Sequence, residues 1–231
     1  MEGNPRLMAR ILITAGATSV PIDSARKITN MAKGLTGQTL AIEAASRGHK
    51  VCLLTSNPYL TTAHEKIETI LFDTFEDLNS LLKNKAMETS PDAVIMTAAV
   101  SDYGCSGIFT TPSPETPIAT IDAKKIPGHH DELWLRLKPL PKLIDQFRTK
   151  WNFCGILVKF KLESQIDEQK LLSLAEESRL HSKADLMVAN RLEDASNRAW
   201  IGPLNSRYKC VDRENLAMEL INAIETMLEA R

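Results

Sequence analysis

Cysteines, aromatic residues and long apolar runs are all scarce in this sequence. Its 231 residues include 4 cysteines, 3 tryptophans, 3 tyrosines and 6 phenylalanines. The cysteines lie at positions 52, 105, 154 and 210 without paired spacing, which argues against a zinc site and a disulfide framework. No apolar run approaches membrane-spanning length, and the first residues lack a signal-peptide core. We therefore expect a cytoplasmic globular protein that does not bind membranes.

An excess of charge of either sign is also missing. The chain has 28 basic and 29 acidic residues, mixed along its length, and a formal net charge of −1. A protein that binds nucleic acid usually carries a basic block, so no nucleic-acid partner is expected. An anionic ligand would have to be bound by a local site.

The glycine pattern of dinucleotide-binding proteins, Gly-x-Gly-x-x-Gly, does not occur after the first apolar run. The second apolar run ends Leu54-Thr-Ser-Asn57, without a carboxylate for the ribose hydroxyls or an arginine for a 2′-phosphate. A Tyr-x-x-x-Lys pair is absent as well. These absences disfavour a nicotinamide-dependent dehydrogenase, and an NADPH-dependent reductase is kept as an alternative.

Short apolar runs alternate with segments of helical periodicity along most of the chain. Nearly continuous apolar runs predict buried strands at 11–14, 51–55, 93–97, 155–160 and 186–189. Helical spacing predicts helices at 37–47, 75–85, 141–151, 168–182 and 215–229. This alternation indicates an α/β fold: a doubly wound, mostly parallel, Rossmann-like sheet with helices on both faces. The length fits one domain over 1–231.

One segment, 104–132, has no periodicity and is rich in Pro, Thr, Ser and Gly. Loops of this length in a compact domain are usually functional or disordered, so we expect a flexible flap or arm. Residues 133–138 then alternate apolar and polar side chains, which is typical of a half-exposed strand. We expect a short accessory strand there.

The first strand leads into Gly16, Ala17 and Thr18, and a helix begins near Gly34 and Gly37. The free N–H groups of a helix start above strand ends form an anion site, so these residues are candidates for phosphate binding.

Polar or aromatic side chains follow three further strands. Asp102 comes after Ala98 and Ala99, whose small side chains would let a substrate lie against the backbone. Phe160 ends the fourth strand and Asn190 the fifth, and ligands of open α/β sheets bind beyond such ends. The alternatives are structural: a helix-capping Asp102, a core Phe160 and a turn-forming Asn190.

These pieces together resemble the phosphopantothenate–cysteine ligase family, in its stand-alone bacterial type. The motifs that carry the resemblance are Thr14-Ala-Gly-Ala-Thr18, Ile22-Asp23, Arg26, Ile28-Thr-Asn30, Gly34 and Gly37, Ala99-Val-Ser-Asp-Tyr103, Lys125-Ile126, the stretch 135–142, Phe160-Lys-Leu162 and the stretch 184–190. They are co-linear and extend to about Asn190, which makes the set far more specific than any one motif.

The resemblance implies an activity. A family member joins 4′-phosphopantothenate and cysteine through an acyl-nucleotide intermediate, in coenzyme A biosynthesis. It would use CTP in preference to ATP, together with Mg²⁺ bound mainly through the nucleotide phosphates. Its partners are these small molecules, and it would be a homodimer.

The resemblance also implies roles for individual residues. Asn30 and Lys125 would be catalytic: Asn30 would hold the acyl intermediate and Lys125 would cover the reacting phosphate. Arg26, Asn30, Ala98 and Ala99 would bind phosphopantothenate. Nucleotide-binding positions would be Gly16, Ala17, Thr18, Gly34, Gly37, Asp102, Lys125, Phe160, Lys183 and Asn190. We expect Asn30, Asp102, Lys125 and Phe160 to meet at one mouth.

Two departures from the family pattern stand out. Ala32-Lys33 precede Gly34 where the family has two small hydroxyl residues, and Pro127-Gly128 follow Lys125-Ile126 where further basic or hydroxyl residues are common. They leave open a second alternative, a non-catalytic relative that binds nucleotide or pantothenate.

Overall fold

The computed structural model describes residues 8–60, 63–110 and 125–231. The strands are β1 Arg10–Ala15, β2 Ser19–Pro21, β3 Lys27–Thr29, β4 Lys50–Thr55, β5 Ile67–Leu71, β6 Ala93–Met96, β7 Tyr103–Phe109, β8 Trp134–Pro139, β9 Ile156–Glu163, β10 Leu186–Arg191, β11 Arg198–Leu204 and β12 Arg207–Asp212. The helices are α1 Leu35–Ser46, α2 Phe75–Asn84, α3 Leu143–Thr149, α4 Glu168–Ser182 and α5 Leu216–Glu229.

Eight strands form the main sheet, in the order β12-β11-β10-β9-β6-β1-β4-β5. The pairs from β10 to β5 are parallel, whereas β11 and β12 are antiparallel. Helices α1 and α5 pack on one face, and α2 and α3 pack on the other. The predicted mostly parallel, Rossmann-like α/β fold is confirmed.

Burial on both faces explains why the central strands are so apolar. Ile11 and Ile13 contact the cluster under α1 and α5, whereas Leu12 belongs to the cluster under α2 and α3. Every residue of β6 is buried. A strand covered on both sides needs apolar side chains at consecutive positions, and this is the signal that the sequence carried.

Two small antiparallel hairpins, β2–β3 and β7–β8, form an accessory layer. Their shared core consists of Val20, Cys105, Ile108 and Ile126. The backbone N–H of Ser19 donates to Asp73 O at 2.7 Å, and that of Leu140 donates to Asp102 O at 2.8 Å. These bonds attach the layer beyond the carboxyl ends of β1 and β6.

The structure corrects the prediction for 104–132. Its first part belongs to β7, which pairs with the predicted accessory strand β8, because Cys105, Ile108 and Phe109 are buried although glycine and serine separate them. Residues 111–124 of the segment lie outside the described residues. Strands β2, β3, β5 and β12 were not predicted, since each is short or largely exposed. Strand β11 is mostly buried but was not predicted either, because Gly202-Pro203 interrupts its apolar run.

None of the helices in the three described ranges combines the length and apolarity needed to cross a membrane.

Candidate functional site

Two loops meet where β1 and β6 end. The backbone N–H of Ala99 donates to Gly16 O at 2.9 Å, and that of Thr18 donates to Ala99 O at 3.2 Å. The Thr18 hydroxyl accepts a bond from the backbone N–H of Ser101 at 2.8 Å. The segments that hold the predicted residues Gly16, Thr18 and Ala99 therefore form one hydrogen-bonded unit at the carboxyl edge.

Glycines bring the start of α1 directly onto this unit. Gly16 and Gly34 have positive φ angles of 85° and 86°, which side-chain-bearing residues rarely adopt. A Cβ on Gly34 would lie 2.8 Å from the backbone nitrogen of Gly16, and a Cβ on Gly37 would lie 2.9 Å from Thr14 O. Only glycine allows backbone to approach backbone this closely.

The N-terminus of α1 has no side-chain cap. Its N-cap residue is Gly34, no side chain accepts from the first-turn N–H groups, and the first turn has no acidic residue. Helix-start N–H groups carry partial positive charge and favour an anion. A cavity of about 880 Å³ opens here, lined by Gly16, residues 31–36, Thr39, Leu40, Thr97, Ala195, Ser196, Arg213, Glu214, Leu216 and Ala217.

Asn30 and Asp102 line one smaller hollow of about 290 Å³, with Thr29 and residues 100–103. The Asn30 side-chain amide donates to Ala99 O at 3.5 Å. Asp102 forms an ion pair with Lys142, the residue before α3, and both side chains are more than half exposed. Because Asn30 and Met31 are consecutive, the chain passes directly from this hollow into the cavity at α1.

Lys125 is exposed, and the residue after it is firmly held. The Ile126 backbone N–H donates to Asp23 Oδ2 at 3.0 Å, and its carbonyl accepts from Arg26 Nη2 at 3.2 Å. Asp23 has a fully buried side chain and also accepts from Arg26 Nε at 3.0 Å. The Arg26 guanidinium, helped by these backbone N–H groups, holds the pKa of Asp23 well below its usual range.

This network changes the view of Arg26. Part of its guanidinium binds Asp23 and Ile126, so it anchors the segment that carries Lys125. The side chain remains 42% exposed, which leaves donors free on its outer side.

Phe160 and Asn190 lie on the neighbouring strands β9 and β10. Lys159 pairs with Met96, so Phe160 is level with the first residue after β6, and it packs against the cluster under α1 and α5. Asn190 is only 6% exposed, and its side-chain oxygen accepts from Arg213 Nη1 at 3.4 Å. Both residues lie at the carboxyl edge.

Lys183 does not join this group, which corrects one prediction. It ends α4 and precedes β10, so it lies at the edge where β9 and β10 begin. Its carbonyl accepts from Arg148, whose guanidinium also bonds Gly155 O and Asp185. A crossover helix returns the chain to the opposite edge from the one where it left, and Lys183 is at the end of that return.

Arg213 is a site residue that the sequence analysis missed. Its guanidinium donates to the Thr36 hydroxyl in the first turn of α1, and it lines the larger cavity. The only sequence signal was a basic residue just before the last amphipathic helix. By itself this signal does not predict that Arg213 lies near the site.

Among the described residues, no three His, Cys, Asp or Glu side chains come together as a metal site. Asp102 is a carboxylate that lines the smaller hollow and is more than half exposed.

Comparison with known proteins places this geometry in a family. The profile of the DNA/pantothenate metabolism flavoprotein C-terminal domain matches residues 7–227. The chain belongs to this family. A coenzyme A biosynthesis bifunctional protein, CoaBC, from Thermococcus kodakarensis is 36% identical over 228 residues, which are 95% of this chain and 51% of the relative. The chain thus spans about half the length of the curated relatives it matches.

Solved structures share the fold. The DNA/pantothenate metabolism flavoprotein from Streptococcus pneumoniae superposes with a TM-score of 0.83 at 27% identity, covering 95% of this chain and 99% of that one. The Cab2 H337A mutant in complex with phosphopantothenate-cysteine superposes with a TM-score of 0.75 at 20% identity, over 96% of this chain and 88% of that one. At 20% identity, the similarity to the Cab2 structure is evidence for the fold alone.

Proposed function

We propose that this chain is a nucleotide-dependent ligase that joins 4′-phosphopantothenate and cysteine into 4′-phosphopantothenoylcysteine. The observation that carries the proposal is that Asn30 and Asp102 line one hollow, with the Asn30 amide on Ala99 O, beside the uncapped start of α1. Membership of the pantothenate metabolism family and similarity to CoaBC proteins support this reading over a reductase.

The reaction has two steps. A phosphopantothenate carboxylate oxygen attacks the α-phosphorus of the nucleotide, the bond to the β-phosphate breaks, and pyrophosphate leaves. The cysteine amine then attacks the acyl carbon, loses its proton, and nucleoside monophosphate leaves. The physical difficulty is that an anion must approach a polyanion, so fixed N–H donors and cations are needed.

We assign the nucleotide phosphates to the start of α1 and to Lys125. Gly16, Ala17, Thr18, Gly34 and Gly37 would let the phosphates lie against backbone N–H groups. Lys33 in the same cavity adds a cation where the family pattern has hydroxyl donors. Lys125 would stabilise the charge that develops on the reacting phosphate, and the Asp23–Arg26 pair would position its backbone.

The remaining residues receive binding roles. Asn30 would hold the acyl carbonyl through its side-chain amide, which already reaches Ala99 O. Ala98, Ala99 and the outer donors of Arg26 would contact phosphopantothenate. Asp102, Phe160 and Asn190 would line the nucleoside pocket, with Asp102 also available to Mg²⁺. Magnesium, when bound, would offset phosphate charge. CTP is proposed as the nucleotide in preference to ATP.

We further propose a homodimer that works in the cytoplasm. The β7–β8 hairpin exposes Tyr103, Leu133, Trp134 and Leu137 to between 38% and 52%. We take these exposed apolar side chains on one hairpin as a candidate protein contact. Size-exclusion chromatography with light scattering would test it: a Leu137→Glu variant should elute as a monomer.

The decisive test of the ligase is pyrophosphate release from the purified protein. It requires phosphopantothenate with CTP or ATP, with and without cysteine. Release that depends on phosphopantothenate, and product formation only with cysteine, are expected. Binding without pyrophosphate release would instead support the non-catalytic reading, and quenching of NADPH fluorescence would support the reductase.

A further inference from the structure

Arg213 reaches the start of α1 because of the two antiparallel strands at the sheet edge. β11 carries the chain away from the carboxyl edge and β12 brings it back, so that Arg213 emerges beside the site. The Arg213 backbone N–H donates to Asn197 O at 2.7 Å, which fixes the turn before α5. A residue 177 positions away in sequence thereby contacts Thr36.

The contacts of this guanidinium are all to neutral oxygens. Arg213 Nη2 donates to the Thr36 hydroxyl, and Nη1 donates to Asn190 Oδ1 at 3.4 Å. Throughout residues 8–60, 63–110 and 125–231, no carboxylate oxygen lies within 4.0 Å of it. Other arginines with largely buried side chains each have a carboxylate partner: Arg47, Arg148, Arg179 and Arg191.

A guanidinium remains protonated at every working pH, so its charge must be compensated in some other way. Burial lowers the pKa of Arg213, which means that its surroundings destabilise the cation. Thr36 and Asn190 satisfy hydrogen bonds and fix the orientation, but they bring no negative charge. An anion that enters beside Arg213 would regain this lost stabilisation.

The cavity beside Arg213 has room for such an anion. Its volume of about 880 Å³ is in the range of sites for drug-sized ligands. Lys33 and the uncapped first turn of α1 line it together with Arg213, whereas Glu214 is its one acidic lining residue. Two cations and a helix start therefore face the same space, and the balance favours a dense negative charge.

We propose that Arg213 binds the polyphosphate of the nucleotide substrate, bridging it to Thr36 at the start of α1 and to Asn190 at the end of β10. This inference rests on the proposed ligase function, since it assigns a ligand to the same site. Through Asn190, Arg213 links the phosphate half of the site to the nucleoside half.

The probe for this proposal is inorganic tripolyphosphate, titrated into the full chain by calorimetry. Arg213→Gln keeps an N–H that can donate to Thr36 but removes the charge, and we expect about 10- to 100-fold weaker binding. Arg213→Lys keeps the charge but loses the planar guanidinium. Its tripolyphosphate affinity should lie between those of wild type and Arg213→Gln. Arg207→Gln is the matched control, because Arg207 is exposed at the far end of β12 and should bind as wild type.

The kinetic readout separates binding from a merely structural role. Arg213→Gln should raise the KM for the nucleotide by a similar factor and leave the KM for phosphopantothenate unchanged. Equal tripolyphosphate affinity in wild type and Arg213→Gln would overturn the proposal, as would absence of binding by wild type. If Arg213→Gln unfolds, the comparison of Arg213→Lys with Arg207→Lys decides in the same way.

The outcomes also distinguish this inference from the ligase proposal. Tripolyphosphate binding that depends on Arg213, without any pyrophosphate release, would leave the polyphosphate site standing and remove the ligase. Normal ligase turnover with an unchanged nucleotide KM in Arg213→Gln would support the ligase and refute the polyphosphate role of Arg213.

Discussion

The N-termini of α1 and α2 differ in how their first-turn N–H groups are satisfied. In α2 the Thr74 side chain accepts from the Asp77 backbone N–H, the Asp77 carboxylate accepts from that of Thr74, and Glu76 adds a second acid. In α1 the equivalent positions are Gly34, Thr36 and Gly37, with no side-chain acceptor and no carboxylate.

We interpret the difference as one of role: the α2 start is capped by its own side chains, whereas the α1 start is proposed to bind a ligand. A capping box satisfies the N–H groups and its acids complement the helix dipole, so α2 needs nothing further. The α1 start has instead glycines that leave space in front of it and the partly buried guanidinium of Arg213 beside it. A negative charge is missing at α1, and the substrate is expected to supply it.

The largest effect should come from Lys125. The start of α1 offers fixed N–H donors, which cannot move toward the negative charge that develops as pyrophosphate leaves. Lys125→Gln keeps α1 intact and removes the proposed cation, so pyrophosphate release should fall by about 100-fold or more. A rapid-quench assay of the first half-reaction measures it.

Lys170→Gln is the control, because Lys170 is an exposed cation on α4 and should release pyrophosphate at the wild-type rate. An unchanged rate in Lys125→Gln would mean that the α1 start alone carries the chemistry.

The second prediction converts α1 into a start of the α2 type. Thr36→Glu places an acid where α2 has Glu76, and the new carboxylate would pair with Arg213. The KM for the nucleotide should rise by about 100-fold, because like charges would then face each other in the cavity. Thermal stability should be kept or improved, since the α1 dipole and the partly buried Arg213 guanidinium both gain a partner.

Gln38→Glu is the matched control for this change. It adds the same charge to the same turn, but Gln38 is absent from the cavity lining. A nucleotide KM that rises equally in both variants would mean that the effect is one of net charge and that the two helix starts do not differ in function.

The same two regions explain what sequence reasoning could reach. The α1 region was predicted because its signals are local: a continuous apolar strand, Gly16, Gly34 and Gly37, and the polar Asn30 close by. Asp102 and Asn190 were predicted because each directly follows or ends a buried strand. Arg213 was missed because its position depends on two strands that were not predicted. The apolar run of β11 is interrupted by Gly202-Pro203, and β12 is polar and mostly exposed.

Lys183 teaches the complementary lesson. Its motif lies only a few residues before Asn190, yet β10 separates the two by the height of the sheet. Lys183 and Asn190 are therefore close in sequence but lie at opposite edges of the sheet. The direction of the parallel strands, which was predicted correctly, already required Lys183 to lie at the edge where β10 begins.

A third, smaller effect concerns pH and the segment of Lys125. Because the folded protein lowers the pKa of Asp23, its stabilisation is fully present above the unfolded value, near 3.8, and is lost as pH falls below it. The difference in Tm between wild type and Asp23→Asn should be constant above about pH 5 and shrink below about pH 4. At neutral pH, Asp23→Asn should also slow pyrophosphate release roughly tenfold, because Ile126 and Arg26 lose their charged acceptor.

Asp73→Asn is the control for this experiment. Asp73 lies between β5 and α2 and forms an exposed ion pair with Lys27 of the accessory layer. Its substitution should leave the pyrophosphate rate unchanged. A Tm difference for Asp23→Asn that stays flat down to pH 3 would show that the carboxylate is not stabilised by its partners.

The smallest effect belongs to α2 and completes the comparison. Thr74→Ala removes the side-chain acceptor for the Asp77 N–H, and such a loss costs about 1 kcal/mol of unfolding free energy. Denaturant unfolding measures it, with Thr226→Ala as control, because the Thr226 hydroxyl donates to Asn222 O within α5 and caps no helix start. Nucleotide KM and pyrophosphate release should be unchanged in Thr74→Ala, since the proposed ligand site is at α1 and does not include the α2 start. A changed nucleotide KM in this variant would mean that the two helix starts act together, and the separation of stability from binding would then have to be given up.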